Sequence, residues 1–403
     1  MVITLAVLAG LILIVGSIAA SQRVAFRAEL NRMEARRARI AAEAGIQRAL
    51  AEFLNQPEEL TAVGDVWETL GSYGSERFVL NDVSFRLQIL DASGLVDLNS
   101  APEEQLQRLP LTSEQIDSLL DWRSEEREPR PEGAKDEYYN NLPRPYNTKL
   151  GPLDSVEELL LVKGFTPAAL YSRQDNIVST ATLVQGGEDE QPLLVDLVTV
   201  GAQSRNVDLN GLPKLNANQV TIGQMTQRGI PPNVAAAIFQ RRGTFTGLGQ
   251  LLQVPGVNAQ NAAAIVDNLA VNAEPVALGR VNVNTASEGV LNTLPEMAPD
   301  VALAIVQRQT TPFNSVGELF TLPGFTLELG QQVIDRLTVN SQTFLVRVIG
   351  RAGDTEVALE ASVVLEEGVP RVTSVREASF GDMWRRWGWD QEPTHDIVLF
   401  DQQ

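Results

Sequence analysis

Few residues in this sequence have the types and spacing that catalysis or metal binding requires. Its 403 residues include no cysteine and a single histidine, His395, which excludes cysteine nucleophiles, cysteine-ligated zinc and histidine triads. Carboxylates remain, but their spacing marks out no pair of the kind that a glycosidase needs. We therefore predict a protein that is not an enzyme and holds no organic cofactor.

One acidic segment contains the kind of oxygen ligands that calcium prefers, of which the ion takes roughly six to eight. The candidate calcium ligands are Asp121, Glu125, Glu132 and Asp136. Their spacing is not that of an EF-hand, and the interleaved cations Arg127, Arg130 and Lys135 favour a solvated charged loop. Calcium binding at the four acids is kept as the alternative.

The start of the chain has the composition of a membrane-spanning helix. Residues 2–20 carry no charge and are nearly all Val, Ile, Leu, Ala and Gly, which is enough helix to cross roughly 30 Å of hydrocarbon. The uncharged start and the length of the apolar run favour a retained anchor over a cleaved signal peptide. The side chains predicted to contact lipid are Leu5, Leu8, Leu11, Ile12, Ile14 and Ile18.

The helical pattern continues beyond this apolar run. Apolar residues recur with a period of about 3.6 from Val24 to Leu54, and Pro57 is expected to end the helix. One long helix is thus predicted, half in lipid and half outside. Its outer half contains seven arginines, which the positive-inside rule would place in the cytoplasm. Alternatively, the arginines form a solvated face or contact anionic headgroups.

Two stretches of the remaining chain alternate between apolar and polar residues as strands do. Residues 77–90 run into turn residues at 91–94, and residues 343–349 and 356–365 flank the turn at 352–355. Each stretch is predicted to form a hairpin with one buried face. The residues between the two hairpins are predicted to be helical.

An internal repeat occupies this helical middle. Its openings, residues 96–99, 213–216 and 281–284, end in the predicted helix N-caps Asn99, Asn216 and Asn284. Its closings are tight turns at Gly164, Gly256 and Gly324, each followed by a Thr or Asn that can cap the next helix. We interpret the three units as helix–hairpin–helix repeats.

Spacing within the repeats locates an insertion. The interval from asparagine to turn glycine is equal in the second unit (216 to 256) and the third (284 to 324), but it is much longer in the first (99 to 164). An arginine follows the asparagine at nearly the same distance in every unit, at Arg123, Arg241 and Arg308. The extra chain is therefore assigned to residues 124–149. The aromatic residues predicted to pin it to the helices are Trp122, Tyr138, Tyr139 and Tyr146.

Charge and turn composition argue against nucleic acid as a partner. The chain has 32 basic and 51 acidic residues, and its net charge of −19 repels phosphate. Each turn glycine is followed within two residues by Thr166, Asn258 or Thr326, where a second glycine would let the backbone approach phosphate. Lys163 is the only cation in a turn. Stacked helical units favour a protein-binding surface, and a membrane-tethered DNA-uptake receptor is the second hypothesis.

Several short motifs occur in a fixed order along the chain. They are LVDLNSA at 95–101, DWR at 121–123, EGAKDEYY at 132–139, PY at 145–146 and SVEELLLVKG at 155–164. With the apolar start, they resemble the general secretion pathway protein K family, the large minor pseudopilins of type II secretion systems. The resemblance covers most of the chain.

This resemblance implies an α+β, pilin-like fold, with a long N-terminal helix on a small antiparallel sheet and an all-α domain inserted between strands. It implies a single-pass protein of the inner membrane, with its C-terminal part in the periplasm. The arginines of the long helix would then lie on the periplasmic side, contrary to the positive-inside rule, and we follow the resemblance. Family members lack the glutamate that most pilins carry near the N-terminus, and residues 2–20 likewise contain no acid.

The resemblance also implies the partners. They are other minor pseudopilins at the tip of a periplasmic fibre, inner-membrane proteins of the secretion system, and secreted cargo or the outer-membrane channel. The six apolar side chains assigned to lipid would later pack in the fibre.

These arguments divide the chain into seven parts. The predicted parts are the anchor helix (1–56), the first part of the sheet (57–95), the first repeat with its insertion and linker (96–212), the second repeat (213–280), the third repeat (281–341), the second part of the sheet (342–380) and a tail (381–403). The tail contains Trp384, Trp387 and Trp389, which are predicted to dock on a partner or a membrane surface.

Overall fold

The computed structural model describes residues 2–54, 60–171, 193–378, 387, 389 and 393–399. The N-terminal elements are helices α1 (Val2–Phe53) and α2 (Val66–Thr69) and strands β1 (Glu76–Leu80) and β2 (Val83–Asp91). Helix α1 is unbroken over 52 residues, as its periodicity predicts, and ends at Phe53. Pro57 lies outside the described residues.

The chain then forms a helical domain with short strands, which we call the repeat domain (residues 92–342). Its strands are β3 (Val96–Asp97), β4 (Val198–Thr199), β5 (Gln203–Arg205), β6 (Leu215–Asn216), β7 (Leu269–Ala270), β8 (Val276–Leu278), β9 (Val281–Asn282) and β10 (Leu337–Thr338). Its helices are α3 (Glu103–Leu106), α4 (Ser113–Arg123), α5 (Asp136–Tyr139), α6 (Pro167–Tyr171), α7 (Leu194–Leu197), α8 (Ile222–Gln227), α9 (Pro232–Gln240), α10 (Leu248–Leu252), α11 (Ala259–Asn268), α12 (Glu288–Leu291), α13 (Pro299–Arg308) and α14 (Leu327–Val333). Short 3₁₀ segments, Val156–Leu161 and Val316–Thr321, occupy in the first and third units the place that α10 occupies in the second.

The chain returns from the repeat domain to complete the sheet. The remaining strands are β11 (Thr343–Ala352), β12 (Thr355–Glu366), β13 (Val369–Glu377) and β14 (His395–Val398). The strand order is β13-β12-β11-β2-β1-β14, antiparallel throughout except for the parallel pair β1–β14. The two predicted hairpins therefore lie side by side in one sheet, joined by the pairing of β2 with β11.

Two strands of the sheet were not predicted. Strand β13 forms an edge of the sheet with mostly exposed side chains, so it lacks the apolar stripe by which strands are recognised. Strand β14 pairs His395 with Glu76, so part of the predicted tail is a strand of the sheet.

Helix α1 packs across one face of the sheet. Buried alanines of the helix meet buried apolar residues of β2, β11 and β12, which form one core with Phe53 and Trp67. The repeat domain has a larger core of its own, from Val96 to Val339. The chain thus divides into a head, formed by α1 and the sheet, and the inserted repeat domain.

Each repeat is closed by a pair of two-residue parallel strands. Strand β3 pairs with β4, β6 with β7 and β9 with β10, joining the opening of each unit to the residues after its last helix. The prediction of helix throughout this region was therefore incomplete. Such pairs are too short for their sequence to show a period of two.

Candidate interaction surfaces

The N-terminal half of helix α1 presents apolar side chains without cover from the rest of the described chain. We call Leu8, Leu11, Ile12, Ile14 and Ile18 the anchor surface, and each of these side chains is more than half exposed. Helix Gly10–Phe53 is long and apolar enough to cross a membrane by length and composition. The side chain of Leu5, also predicted to contact lipid, lies outside the described part of the structure.

Exposed apolar residues extend along α1 beyond the anchor surface. Val24, Phe26, Met33 and Ile40 are between 49% and 72% exposed. At the level of Val24 and Phe26 the helix is exposed on all sides, whereas at the level of Ile40 its opposite side is buried against the sheet through Ala38 and Ala42. The helix therefore has two apolar sides here, one satisfied within the chain and one available to another molecule.

The contact between α1 and the sheet is unusually close because glycine lies on each side of it. A Cβ atom on Gly350 of β11 would overlap with the carbonyl oxygen of Ala38, and one on Gly45 of α1 would lie 2.5 Å from a methyl group of Val348. The helix backbone consequently rests on the strand backbone. This packing fixes how α1 leaves the head.

The three turn glycines adopt the left-handed backbone that the tight corner requires. Their φ angles are +84° at Gly164, +91° at Gly256 and +86° at Gly324. The residues after the turns are occupied in the chain itself, because Thr166, Asn258 and Thr326 each accept a hydrogen bond from the backbone of the helix that follows.

The cation of the first turn is likewise engaged within the chain. Lys163 Nζ donates to the carbonyl oxygen of Glu132 (3.0 Å) and forms a salt bridge with Glu114 (3.1 Å). It also lies over the ring of Tyr138. These contacts direct the charge inward, towards the insertion, rather than towards a phosphate ligand.

The predicted N-cap asparagines have a different role from the one expected. The amide of Asn99 pairs with both backbone groups of Leu153, donating at 3.0 Å and accepting at 2.7 Å. Asn284 makes the same double contact with Phe313. In the second repeat the residue that does so is Asn218, with Phe245, and not Asn216. The opening of this repeat was therefore placed two positions too early.

The evenly spaced arginines are not equivalent either. Arg123 donates to the carbonyl oxygens of Leu98 and Ala101, whereas in the third repeat Gln309 donates to the corresponding carbonyls of Val283 and Ala286. Arg308 instead lies over the ring of Phe313 and pairs with Glu318. Spacing misled here because Arg308, and not Gln309, lies at the same distance from its asparagine as Arg123 does.

The second and third repeats pack against each other reciprocally. Asp335 accepts backbone N–H bonds from Leu248 (2.6 Å) and Gly249 (3.1 Å), at the start of α10. Asp267, which holds the corresponding place in the second repeat, accepts from the backbone of Gly317 (2.9 Å) and the hydroxyl of Ser315 (2.8 Å). Each repeat thus caps a helical segment of the other.

Glycines at the same offset allow this approach. A Cβ on Gly249 would overlap with the carbonyl oxygen of Gln331, and a Cβ on Gly317 would lie 2.7 Å from the Cα of Ala263. The two contacts are related like those of an isologous interface between identical subunits. The sequence analysis missed Asp267 and Asp335, although they are separated by the same interval as Gly249 and Gly317, a signal that could have revealed them.

A buried polar junction joins the head to the repeat domain. The carboxylate of Asp91, at the end of β2, accepts hydrogen bonds from Ser93 N (2.7 Å), Asn282 Nδ2 (2.8 Å) and Thr285 Oγ1 (2.7 Å). Burial raises the pKa of Asp91, and these donors oppose the rise. Asn282 also donates to the carbonyl oxygen of Thr61, which ties in the segment after α1.

The calcium candidates do not gather at one place. Asp121 is buried and accepts the backbone N–H of Arg130, and Asp136 accepts the backbone N–H of Thr148. Glu125 and Glu132 are exposed. Among the residues that the structure describes, no group of three or more acidic or histidine side chains is arranged to hold a metal. Calcium binding stays an untested prediction.

The aromatic residues of the insertion do pack on the helices. Tyr139 is fully buried and contacts the rings of Trp122 and Tyr146, with centroids 5.2 and 5.3 Å away. Tyr146 donates its hydroxyl to the carbonyl oxygen of Leu161. Tyr138 is 41% exposed. Burial raises the pKa of Tyr139 to about 12, so its hydroxyl remains protonated.

Two described tryptophans of the tail, Trp387 and Trp389, contact the protein itself. Trp389 is buried on the face of the sheet opposite α1, against Gly74, and accepts at its backbone oxygen a hydrogen bond from Arg86 (3.0 Å). The guanidinium of Arg347 lies over the ring of Trp387. The prediction that these two residues dock on a partner is therefore wrong for Trp389. Trp384 lies outside the described residues.

Comparison with known proteins gives the following matches. Two family models, both described as type II secretion system protein K, match residues 77–178 and 281–340. A chain in the crystal structure of the GspK-GspI-GspJ complex from the enterotoxigenic Escherichia coli type 2 secretion system is 15% identical. The match covers 88% of this chain and 99% of that one, with a TM-score of 0.51. No match is found among curated proteins. The structural likeness bears out the predicted α+β fold of a long helix on a sheet.

Proposed function

The chain belongs to the type II secretion system protein K family, and we propose that it is the minor pseudopilin at the tip of a periplasmic pseudopilus. In this role it acts through protein contacts and catalyses no reaction. The observation that carries the proposal is the single helix α1, whose N-terminal half is uncovered and apolar and whose C-terminal half is fixed to the sheet. Such a helix can leave lipid and enter a bundle of similar helices without refolding.

Apolar burial provides the driving force for both states. Side chains of the anchor surface lose contact with water equally in lipid and between helices, at about 25 cal/mol per Å². Because α1 rests on Gly350, the head follows the helix when it moves. The proposed location is the inner membrane before assembly, with the head and repeat domain in the periplasm.

The partners are proposed from the compared complex. That complex contains GspI and GspJ, and we assign homologous minor pseudopilins to the exposed apolar side of α1, at Phe26, Met33 and Ile40. We assign secretion-system membrane proteins, cargo or the outer-membrane channel to the outer surface of the repeat domain. The DNA-receptor alternative has less support, because the turn residues and Lys163 are engaged within the chain.

A matched pair of double variants tests the role of the anchor surface. In cells that lack the native copy, Leu11→Asp with Ile14→Asp should release the protein from membranes, because each buried Asp costs about 3 kcal/mol in a membrane helix. Secretion and co-isolation with the other minor pseudopilins should be lost with it. The control, Val369→Asp with Val375→Asp, adds the same charge at exposed apolar residues of β13 and should leave all three readouts unchanged.

Normal membrane retention and secretion in the α1 variant would refute the proposal. Loss of secretion with retained membrane association would place the requirement in the fibre alone.

A further inference from the structure

A cavity of about 130 Å³ lies where the second and third repeats meet. Its walls include Lys214, Asp267 and Arg280, with residues 337–340 from the end of the third repeat. A cavity needs only about 10–15 Å³ of such space for one water, so this one has room for several waters or one small ion.

Two cations occupy equivalent places on either side of this cavity. Lys214 directly precedes β6 and Arg280 directly precedes β9, the opening strands of the two repeats. Lys214 Nζ donates to the carbonyl oxygen of Val266 (2.7 Å), and Arg280 Nε donates to that of Asp335 (3.2 Å). The reciprocal interface therefore brings one cation from each repeat to the same space.

Neither cation forms a salt bridge within the described part of the chain, although the carboxylate of Asp335 attracts Arg280 electrostatically. No carboxylate oxygen lies within 4.0 Å of the charged nitrogens of Lys214 or Arg280 in that part. Both side chains are half-buried, and burial together with the charge of Arg280 lowers the pKa of Lys214 to about 8. A cation that is partly removed from water and has no salt-bridge partner is stabilised by a counter-ion, so this arrangement favours the binding of an anion.

The neighbouring acids are committed elsewhere. Asp267 and Asp335 accept the backbone and hydroxyl groups of the reciprocal interface, and Asp208 pairs with Arg228. Asp267 still attracts Lys214 from beyond salt-bridge distance. Arg205 also lines the cavity.

We propose that this cavity binds one small oxyanion of the size of phosphate or sulfate, held by the ammonium of Lys214 and the guanidinium of Arg280. An ammonium supplies three donors and a guanidinium five, and only some of these are used by the chain. The bound anion would join the second repeat to the third. The site is independent of the anchor helix and of any assembly role.

Binding can be tested on the full-length protein in detergent with inorganic phosphate as the probe. The ³¹P resonance of phosphate should broaden in the presence of the protein, and the melting midpoint should rise with phosphate concentration relative to chloride at equal ionic strength. With Lys214→Gln or Arg280→Gln, at least tenfold more phosphate should be needed to give the same broadening and the same rise in the melting midpoint. Arg371→Gln removes one exposed charge from β13 and should respond like the unmodified protein.

The variants separate site binding from general effects of the salt. Phosphate and sulfate stabilise many proteins by exclusion from their surface, and this effect would be equal in all four proteins. An equal response in the Lys214 and Arg371 variants, or no broadening with the unmodified protein, would overturn the proposal. A folded Lys214 variant is expected, because its substitution removes a half-buried charge.

Discussion

The contact between α1 and the sheet and the contact between the second and third repeats bring backbones together in different ways. Both rely on glycine, at Gly350 in the first and at Gly249 and Gly317 in the second. The first contact is otherwise apolar, through alanines and branched side chains. The second adds Asp267 and Asp335, whose acceptors must meet particular N–H groups. The first contact depends on shape and the second on the direction of hydrogen bonds.

The largest expected effect comes from breaking the apolar contact. Gly350→Leu should lower the free energy of unfolding of the head by about 3 kcal/mol, because a side chain there displaces the backbone of α1 at Ala38. Urea unfolding of the full-length protein in detergent, followed by tryptophan fluorescence, measures the change. The control is Gly223→Ala, where nothing lies within 4 Å of the added methyl group. An unchanged midpoint in the Gly350 variant would show that the helix can move away freely.

A smaller loss should follow from removing one carboxylate of the polar contact. Asp335→Ala leaves the first N–H groups of α10 without an acceptor and should cost about 1–2 kcal/mol. Asp267→Ala should cost a similar amount for the segment Val316–Thr321. Glu128→Ala removes the same charge from an exposed loop and should have little effect. If the two Asp variants matched that control, the reciprocal caps would contribute nothing measurable.

The smallest effect distinguishes the two contacts by pH. Burial raises the pKa of Asp267 above its ordinary value of 3.8. Below pH of about 4 the group is protonated in folded and unfolded protein alike, and as pH rises the unfolded chain loses its proton first, so the stability from this group falls. Asp267→Asn should therefore flatten the decline in stability above pH 4. Gly350→Ala should shift stability by the same amount at every pH. If stability declined as steeply with pH in the Asn variant as in the unmodified protein, the pH dependence would come from groups other than Asp267.

The elements with a regular apolar period were predictable. Helix α1, the two hairpins and the turn glycines all follow from local spacing, and the structure places them where the sequence does. Edge strand β13 was not predictable in this way, because its exposed residues carry no apolar alternation. Trp389 was misassigned because a tryptophan in a polar segment looks the same whether it packs on its own sheet or on a partner.

The errors in the repeats have one cause. The opening of the second repeat was aligned two positions too early against those of the other repeats. The pattern of a short strand followed by asparagine fits this repeat at both Asn216 and Asn218. Only the hydrogen bonds to Phe245 distinguish them. The reciprocal pair Asp267 and Asp335 required the same correct register before it could be recognised.

The position of the repeat domain has a consequence for how the protein can grow. The domain leaves the sheet at Asp91 and returns at Phe344, and these two residues are partners in adjacent strands. The whole repeat domain is therefore equivalent to one long loop between two neighbouring strands, with its two ends held together by the pairing of those strands. The entropy lost on closing such a loop increases only with the logarithm of its length, by about 0.6 kcal/mol for each doubling. A further unit can therefore be added to the domain with almost no thermodynamic burden on the head.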